Sequence, residues 1–575
     1  MGHRVIGLFL AAWAGVAPAG EAAPPPAPAV IAVNQVGYLP GGAKGALLWG
    51  VRGEEVRLVE AAGGGKVWQA SLGPAAEWPA AGRKVQTIDF SAFTRPGRYR
   101  LQVDEGPVSD EFVIGADAYA ALSAAALKAF YFNRAGIELK PEHAGPWARP
   151  AGHPDTQVRV HASAVGPGRP EGTLISAPRG WYDAGDYNKY VVNSGIAVYT
   201  LLAAWEHFPA FFQAQRLNLP ETGNGLPDLL NEVAWNLDWM LAMQDPGDGG
   251  VYHKLTNADF DGMVMPHQAT GPRWVVGKST AAALDFAAVA ATASRVFRAF
   301  DAQRPGYAAR LLAAARAAWA WAQAHPDVAY RQPPDIHTGE YGDSQLADEF
   351  AWAAAELYIT TRDDRFWVAL KPTQTAMTVP AWAEVQGLGW ISLAHHRAGL
   401  TAAADPGLIA SRVSGLASRL AEAWQAAPER LGLQAGDYIW GSQSAVLNRA
   451  MVLIQGYRLT GTRAQLDAAQ ALLDNVLGRN ALALCGVTGF GTRSPRHPHH
   501  RPSEADGVAE PVPGFLVGGP NAGRQDAQHC PMPYPSTLPA QSYLDHACSY
   551  ASNEVAINWN APLVYVSAAL QVLTP

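Results

Sequence analysis

Ser279-Thr280-Ala281-Ala282-Ala283-Leu284-Asp285-Phe286-Ala287-Ala288-Val289-Ala290-Ala291-Thr292-Ala293-Ser294-Arg295-Val296-Phe297-Arg298-Ala299 runs without a Gly or Pro. Its larger apolar side chains fall on three- and four-residue steps, the period of a helix with a buried face. Alanine fills most other positions, which favours the helical state and lets helices pack closely. The same texture returns near 118–134, 189–207, 226–243, 306–324, 345–360, 408–426, 442–459, 463–477 and 554–573. From about Asp117 onward the chain is therefore expected to be mainly α. Several connections are long and rich in Gly, Pro, His, Asp and aromatics, notably 135–188, 244–278, 325–344 and 480–552. Long loops in a compact domain usually carry function. About ten to twelve helices with function gathered in loops predict a closed ring of helical hairpins.

Upstream the texture differs. Between Val30 and Gly115, short alternating segments such as Val56-Arg57-Leu58-Val59 and Tyr99-Arg100-Leu101-Gln102-Val103 are separated by turns like Gly63-Gly64-Gly65 and Arg95-Pro96-Gly97. That pattern predicts a small all-β sandwich over 30–115, with the helical domain over 116–575. Residues 1–29 read as a signal peptide and Pro-rich linker. Arg4 precedes the mostly apolar run Val5–Ala17, small residues follow at cleavage spacing, and Pro24-Pro25-Pro26-Ala27-Pro28 is an extended tract. An exported protein is expected, secreted or periplasmic, a monomer with no membrane attachment after cleavage.

Composition narrows the function. The 575 residues include 43 Lys+Arg and 50 Asp+Glu, a formal net charge of −7, with 49% hydrophobic residues. That excludes a disordered chain, and no sustained basic run supports a nucleic-acid partner. The 19 Trp and 19 Tyr provide flat apolar area for stacking. Three cysteines, Cys485, Cys530 and Cys548, allow at most one internal disulfide, and no Cys-x-x-Cys pair exists.

Three constellations carry chemistry. In Gly180-Trp181-Tyr182-Asp183-Ala184-Gly185-Asp186-Tyr187-Asn188-Lys189-Tyr190, two carboxylates three residues apart precede a helix. Either caps that helix, or both hold one water; the aromatics Trp181, Tyr182, Tyr187 and Tyr190 exceed what a cap requires. Near the end, Tyr543-Leu544-Asp545 leads to Tyr550 and Asn553-Glu554-Val555-Ala556-Ile557-Asn558-Trp559-Asn560-Ala561. At a helix start the dipole would lower the Glu554 pKa, the wrong direction for a general acid. Burial and a neighbouring carboxylate, from Asp545 or the Asp183/Asp186 pair, would have to outweigh it. The third is Arg493-Ser494-Pro495-Arg496-His497-Pro498-His499-His500-Arg501, a donor-rich loop whose arginines argue against a bound metal.

Together these segments resemble glycoside hydrolase family 9, the inverting cellulases. The resemblance rests on Asp183-Ala184-Gly185-Asp186, on Thr488–Arg493 through Pro498-His499-His500-Arg501, and on Tyr543, Asp545, Tyr550, Glu554, Ala556 and Asn560-Ala561. The opening Val33-Asn34-Gln35-Val36-Gly37-Tyr38 is similar to the immunoglobulin-like domain that precedes one subgroup. The resemblance implies a mainly α fold, a six-hairpin (α/α) barrel behind an immunoglobulin-like sandwich. It implies inverting hydrolysis of β-1,4-glucosidic bonds, with acid and base about 6.5–9.5 Å apart to admit a water. By position Asp186 would be the base, Asp183 would help hold the water, and Glu554 would be the acid with Asp545 as its supporting carboxylate. His499 and Arg501 would meet the sugar at the cleavage point. Trp181, Trp274 and Trp440 are candidate stacking platforms and His253 a candidate hydroxyl donor, with core or rim as the alternative for each.

The chemistry needs no cofactor. The subgroup also binds calcium, and Asp343, Asp348 and Glu349 look like such a site, with an acidic turn before a helix as the alternative reading. Relatives carry a structural zinc on two Cys and two His; here the expected Cys positions are Ala135 and Gly152, so zinc is not expected and hydrogen bonding or packing should replace it. The leading expectation is an endo-acting enzyme on cellulose, soluble β-glucan or cello-oligosaccharide. An exo-acting glucosidase or glucosaminidase of the same fold, a non-catalytic sugar-binding protein, and a metal-dependent hydrolase built on the His loop are the alternatives.

Overall fold

The computed structural model describes residues 28–574 apart from Glu105; of the signal peptide and linker expected over 1–29, all but the last two residues lie outside those described. The N-terminal region forms eight strands: β1 Val30–Ala32, β2 Gly45–Trp49, β3 Glu55–Glu60, β4 Lys66–Ser71, β5 Ala76–Trp78, β6 Arg83–Asp89, β7 Gly97–Val103 and β8 Phe112–Ile114. They make two four-stranded sheets, ordered β1-β2-β6-β5 and β4-β3-β7-β8. In β3 the alternation seen in the sequence becomes real alternation, with Val56 and Leu58 fully buried between outward-facing neighbours. Tyr38 anchors the core between the sheets, its ring edge-on to Phe90 and Phe112 at 5.2 Å each.

Twelve helices of seven residues or more build the larger region, apart from a short outlying helix at Pro209–Ala214. They are α1 Ala120–Phe132, α2 Val191–His207, α3 Asp228–Ala242, α4 Thr280–Phe297, α5 Tyr307–Ala324 and α6 Ala347–Thr361, then α7 Asp364–Leu370, α8 Gln386–His396, α9 Pro406–Ala426, α10 Ser442–Thr460, α11 Arg463–Val476 and α12 Ile557–Leu573. Each of α2, α4, α6, α8, α10 and α12 packs on the next, and α12 returns to α2. The remaining six lie outside, each against an inner neighbour. Helix α4 is long and apolar enough to cross a membrane, yet it is buried inside this arrangement. Its inner position explains its texture: a helix covered on all sides needs no polar face.

Helix α8 is absent from the sequence reading. Gly387 and Gly389 lower its helical propensity, and both are needed for close approach. A Cβ on Gly387 would lie 2.4 Å from the Thr378 carbonyl oxygen, and one on Gly389 3.0 Å from Ala355 Cβ. Two connections expected as loops, with the first two residues of the helix expected over 189–207, also hold a five-stranded sheet, β10-β9-β13-β12-β11 in order. Its strands are β9 Val158–Val160, β10 Leu174–Ile175, β11 Lys189–Tyr190, β12 Tyr252–Thr256 and β13 Trp274–Lys278. These strands are too short and too widely spaced for periodicity to show.

The two regions meet through Val33–Tyr38. Gln35 donates to the Ala483 carbonyl at 2.9 Å and accepts from the backbone N–H groups of Thr492 and Arg493 at 3.0 and 2.9 Å. Asn34 donates to Asp474 on α11 at 2.8 Å. All of these groups are buried or partly so, hence costly to leave unpaired. The sandwich thereby grips the start of the loop that ends in His499.

Candidate active site

A cleft of about 820 Å³ opens beside α2 and α12, and the three constellations converge on it. Asp183 and Asp186 lie in the turn before β11 and do not cap α2, whose N-cap Tyr190 makes no side-chain cap bond. Gly185 is required by close approach: a Cβ there would sit 2.1 Å from the His499 carbonyl oxygen. Asp183 accepts from Asn193 Nδ2 at 2.6 Å and from Tyr341 Oη at 2.8 Å. Burial, then the charge of Asp186, outweighs those donors and lifts Asp183 to about 8. Asp186 accepts from Asn188 Nδ2 and, at 3.5 Å, from Tyr190 Oη.

Glu554 reaches the cleft from the other end of the sequence. It is not in the first turn of a helix: its backbone is extended, pairs with His499 in a single β-bridge, and α12 begins only at Ile557. The dipole that would have lowered its pKa is therefore not in play. The Gly185 N–H donates to Glu554 Oε1 at 3.3 Å. Burial, then Asp186, holds the carboxyl well above the ordinary value; Arg501 opposes, and Asp183 adds to the rise. A group held protonated opposite an acidic pair is what general-acid chemistry demands.

His499 lines the cleft with Nδ1 against the Ala547 carbonyl at 2.5 Å. A carbonyl only accepts, so Nδ1 carries the proton, and burial lowers the ring's pKa; Nε2 is left to accept. Arg501 also lines the cleft, but its guanidinium is spent on the carbonyls of Gly185, at 2.7 Å, and Asp261, at 2.8 and 2.9 Å. It braces the acidic turn. His500 turns to Ser503 and Asn133, and among the described residues no three His, Cys, Asp or Glu side chains are grouped to hold a metal.

Several expected residues lie elsewhere. Trp181 is fully buried, 4.7 Å from Phe130 between ring centres, with Nε1 on Glu232 at 3.1 Å. Tyr182 and Tyr187 are core as well. Trp274 belongs to β13, paired with Thr256 and packed near Tyr330, off the cleft. His253 is buried and stacked on Tyr330 at 3.9 Å, with Nδ1 on Ser279 and Nε2 on the Glu340 carbonyl. Asp545 does not touch Glu554. It accepts from the backbone N–H groups of Arg496 and His497 and from Asn553 Nδ2, and so holds the loop that carries the acid. Trp440 does reach the cleft, 42% exposed and 5.4 Å from Tyr550. Phe260, Tyr341 and Trp382 line it too and were missed, because a lone aromatic in a loop has no period to betray it; Trp559, in the first turn of α12, also lines it.

Ala135 and Gly152 sit among hydrogen bonds and packing. His153 Nδ1 meets Tyr182 Oη at 2.9 Å, Tyr182 Oη donates to the Gly152 carbonyl at 3.3 Å, and a Cβ on Gly152 would strike Pro266. Burial drives His153 down to about 3. Around Asp348 and Glu349 the acids are crowded: Asp285, buried on α4, leaves both oxygens unpartnered, and Asp343 and Glu349 leave one each. Burial, then Asp285 and Asp348, pushes Glu349 up to about 11. The donors are all oxygen, the chemistry of a hard cation, although among the described residues no three of them are grouped closely enough to hold one. Cys530 and Cys548 form a disulfide and Cys485 is a buried free thiol.

An extended aromatic groove with a protonated glutamic acid facing an aspartate pair defines an acid/base hydrolase of polysaccharides. Residues 119–567 match the family model for glycosyl hydrolase family 9, and residues 27–107 match the cellulase N-terminal ig-like domain. The chain belongs to glycosyl hydrolase family 9, in the group with that N-terminal domain, and is a cellulase-type hydrolase. It is 42% identical over 558 residues to a xyloglucan-specific endo-β-1,4-glucanase of Bacteroides ovatus, covering 94% of each chain. It is 33% identical to a cellulose 1,4-β-cellobiosidase of Acetivibrio thermocellus, covering 85% of this chain and 62% of that longer one. A solved structure of a Bacteroides ovatus family 9 protein superposes with a TM-score of 0.87 at 40% identity, covering 95% of this chain and 99% of that one.

Proposed function

We propose that the protein is a secreted, endo-acting β-1,4-glucanase that inverts the anomeric carbon, built on a six-hairpin (α/α) barrel. The observation that carries this reading is the convergence of Glu554, Asp183 and Asp186 on one cleft, where burial and then Asp186 raise the Glu554 pKa. Glu554 gives its proton to the glycosidic oxygen as the C1–O bond breaks. A water on the opposite face attacks C1 and passes a proton to Asp186, while Asp183 helps orient that water. His499 Nε2 accepts from a sugar hydroxyl, and Trp440 offers a stacking face. The substrate class is β-1,4-glucan, with soluble glucan, xyloglucan and cellulose as candidates.

The test is a product time course from cellohexaose with the anomers followed by NMR, beside rates on carboxymethylcellulose and xyloglucan. Internal cleavage with the α-anomer appearing first is expected. Products trimmed only from one end favour the exo-acting reading, and a first-formed β-anomer overturns inversion.

Calcium belongs to the same reading as a structural ion, with Asp285, Asp343, Asp348 and Glu349 as oxygen donors. Support comes from the unpartnered oxygens of Asp285, Asp343 and Glu349. A bound cation would replace the protons these acids otherwise need, so calcium should raise Tm at pH 7 and a chelator should lower it by several degrees. An unchanged Tm in both removes the ion from the account.

A further inference from the structure

Strand β12 places a lysine where its charge has no carboxylate to meet. Lys254 is fully buried, and among the described residues its ammonium donates to Gln332 Oε1 at 2.8 Å, Thr338 Oγ1 at 3.0 Å and the Gly339 carbonyl at 2.7 Å, but to no acid. Thr338 Oγ1 lies 2.6 Å from Thr256 Oγ1, which lies 3.0 Å from Asn188 Oδ1; Asn188 Nδ2 donates to Asp186 Oδ2. Resting on the hydrolase reading above, we propose that Lys254 is a positioning residue for the base, its ammonium orienting Asp186 through Thr338, Thr256 and Asn188.

The donor directions at the lysine end of this chain are fixed, and those beyond it are compatible with one sense toward Asp186. An ammonium has no lone pair, so Thr338 must accept from Lys254 and is free to donate onward to Thr256. Thr256 has Asn188 Oδ1 at 3.0 Å and the Asn257 carbonyl at 2.8 Å as acceptors for its one proton, and with the Asn257 N–H, which donates to Asn188 Oδ1 at 3.0 Å, it holds that amide with its NH₂ toward Asp186. Each bond polarises the next, and the sequence ends on a carboxylate in a low-dielectric setting. A lysine needed only to fasten the 330–340 loop would be served by Gln332 and Gly339 alone.

The electrostatic setting is mixed. Asp186 is faced by Asp183, Glu554, Asp261, Tyr190 and His499 as well as by Lys254, while Arg501 acts on Glu554 and on the Gly185 carbonyl. Lys254 is faced by Asp186 and Glu340 and lies over the rings of Tyr190 and Tyr330. Burial lowers the ammonium to about 7, with Asp186 and Glu340 opposing, so it carries its charge on the acidic side of neutrality. Withdrawing it there makes the ionised base harder to keep.

The experiment compares Lys254→Met, Lys254→Arg and Thr256→Val in the full-length protein, with kcat, KM, Tm and the pH dependence of kcat/KM on cellohexaose. Lys254→Met should lower kcat about ten-fold with KM little changed, because only the proton-accepting step is affected. The acidic limb, which reports ionisation of the base, should move up by roughly half a pH unit. Lys254→Arg should restore most of both. Thr256→Val leaves the ammonium's contacts with Gln332 and Gly339 in place and should shift the limb in the same direction; it decides the matter if Lys254→Met does not fold. Folded variants that keep the parental acidic limb overturn the proposal alone, whereas a parent enzyme that cuts no β-glucan overturns the hydrolase reading and this one with it.

Discussion

A carboxyl such as Glu554, buried and facing Asp186, binds its proton more tightly in the folded chain than in the unfolded one. Its folded pKa is raised, so the stability it contributes is fully present below the unfolded value and is lost as pH rises through the folded one. Glu554→Gln should therefore cut turnover about 10²–10⁴-fold or more, by loss of the proton donor. Its Tm should equal or exceed the parent's at pH 7, with the gain shrinking toward pH 4, as thermal melts across pH will show. Binding of cello-oligosaccharide should survive. The tryptophans separate in the same way. Trp181→Ala empties a fully buried site and should cost about 3–5 kcal/mol in denaturant titrations. Trp440→Ala should raise KM and leave Tm alone. Residue type did not distinguish these two; only burial does.

At the scale of elements, the acidic turn and the His499 segment are pressed together where Gly185 has no side chain. Gly185→Ala forces a methyl into backbone, and neither side has a flexible end that can yield. It should reduce kcat by at least ten-fold through displacement of Asp186 and Glu554 together, read against an unchanged CD spectrum. Helix periodicity was legible for ten stretches because a buried face repeats along the chain. It was silent for α7, a helix of two turns, for α8, where glycines serve packing, and for β9–β13, whose pairing is long-range. The position of Glu554 was misjudged by three residues, and that displacement reversed the electrostatic argument: at a helix start the dipole opposes an acid, in an extended bridge it does not.

For the whole molecule, the sandwich and the helical ring share buried hydrogen bonds at Gln35 and Asn34 and so should unfold together. Gln35→Ala removes the acceptor from the part-buried N–H groups of Thr492 and Arg493, at a cost of about 1 kcal/mol each. It should lower Tm in a single calorimetric transition and reduce activity, since those two residues begin the loop that ends at His499 and Arg501. Two separated transitions would mean that the sandwich is an independent appendage.

The order of β and α regions, the helical texture and the acid/base motifs were fixed by local pattern, because hydrophobic period and motif spacing are written along the chain. Which aromatic faces sugar, which carboxyl keeps its proton, and that Asp545 works through a loop while Lys254 reaches toward the base were decided only by folding. Those properties depend on burial and on neighbours hundreds of residues away, and the electrostatics of a site is set by what surrounds it in space.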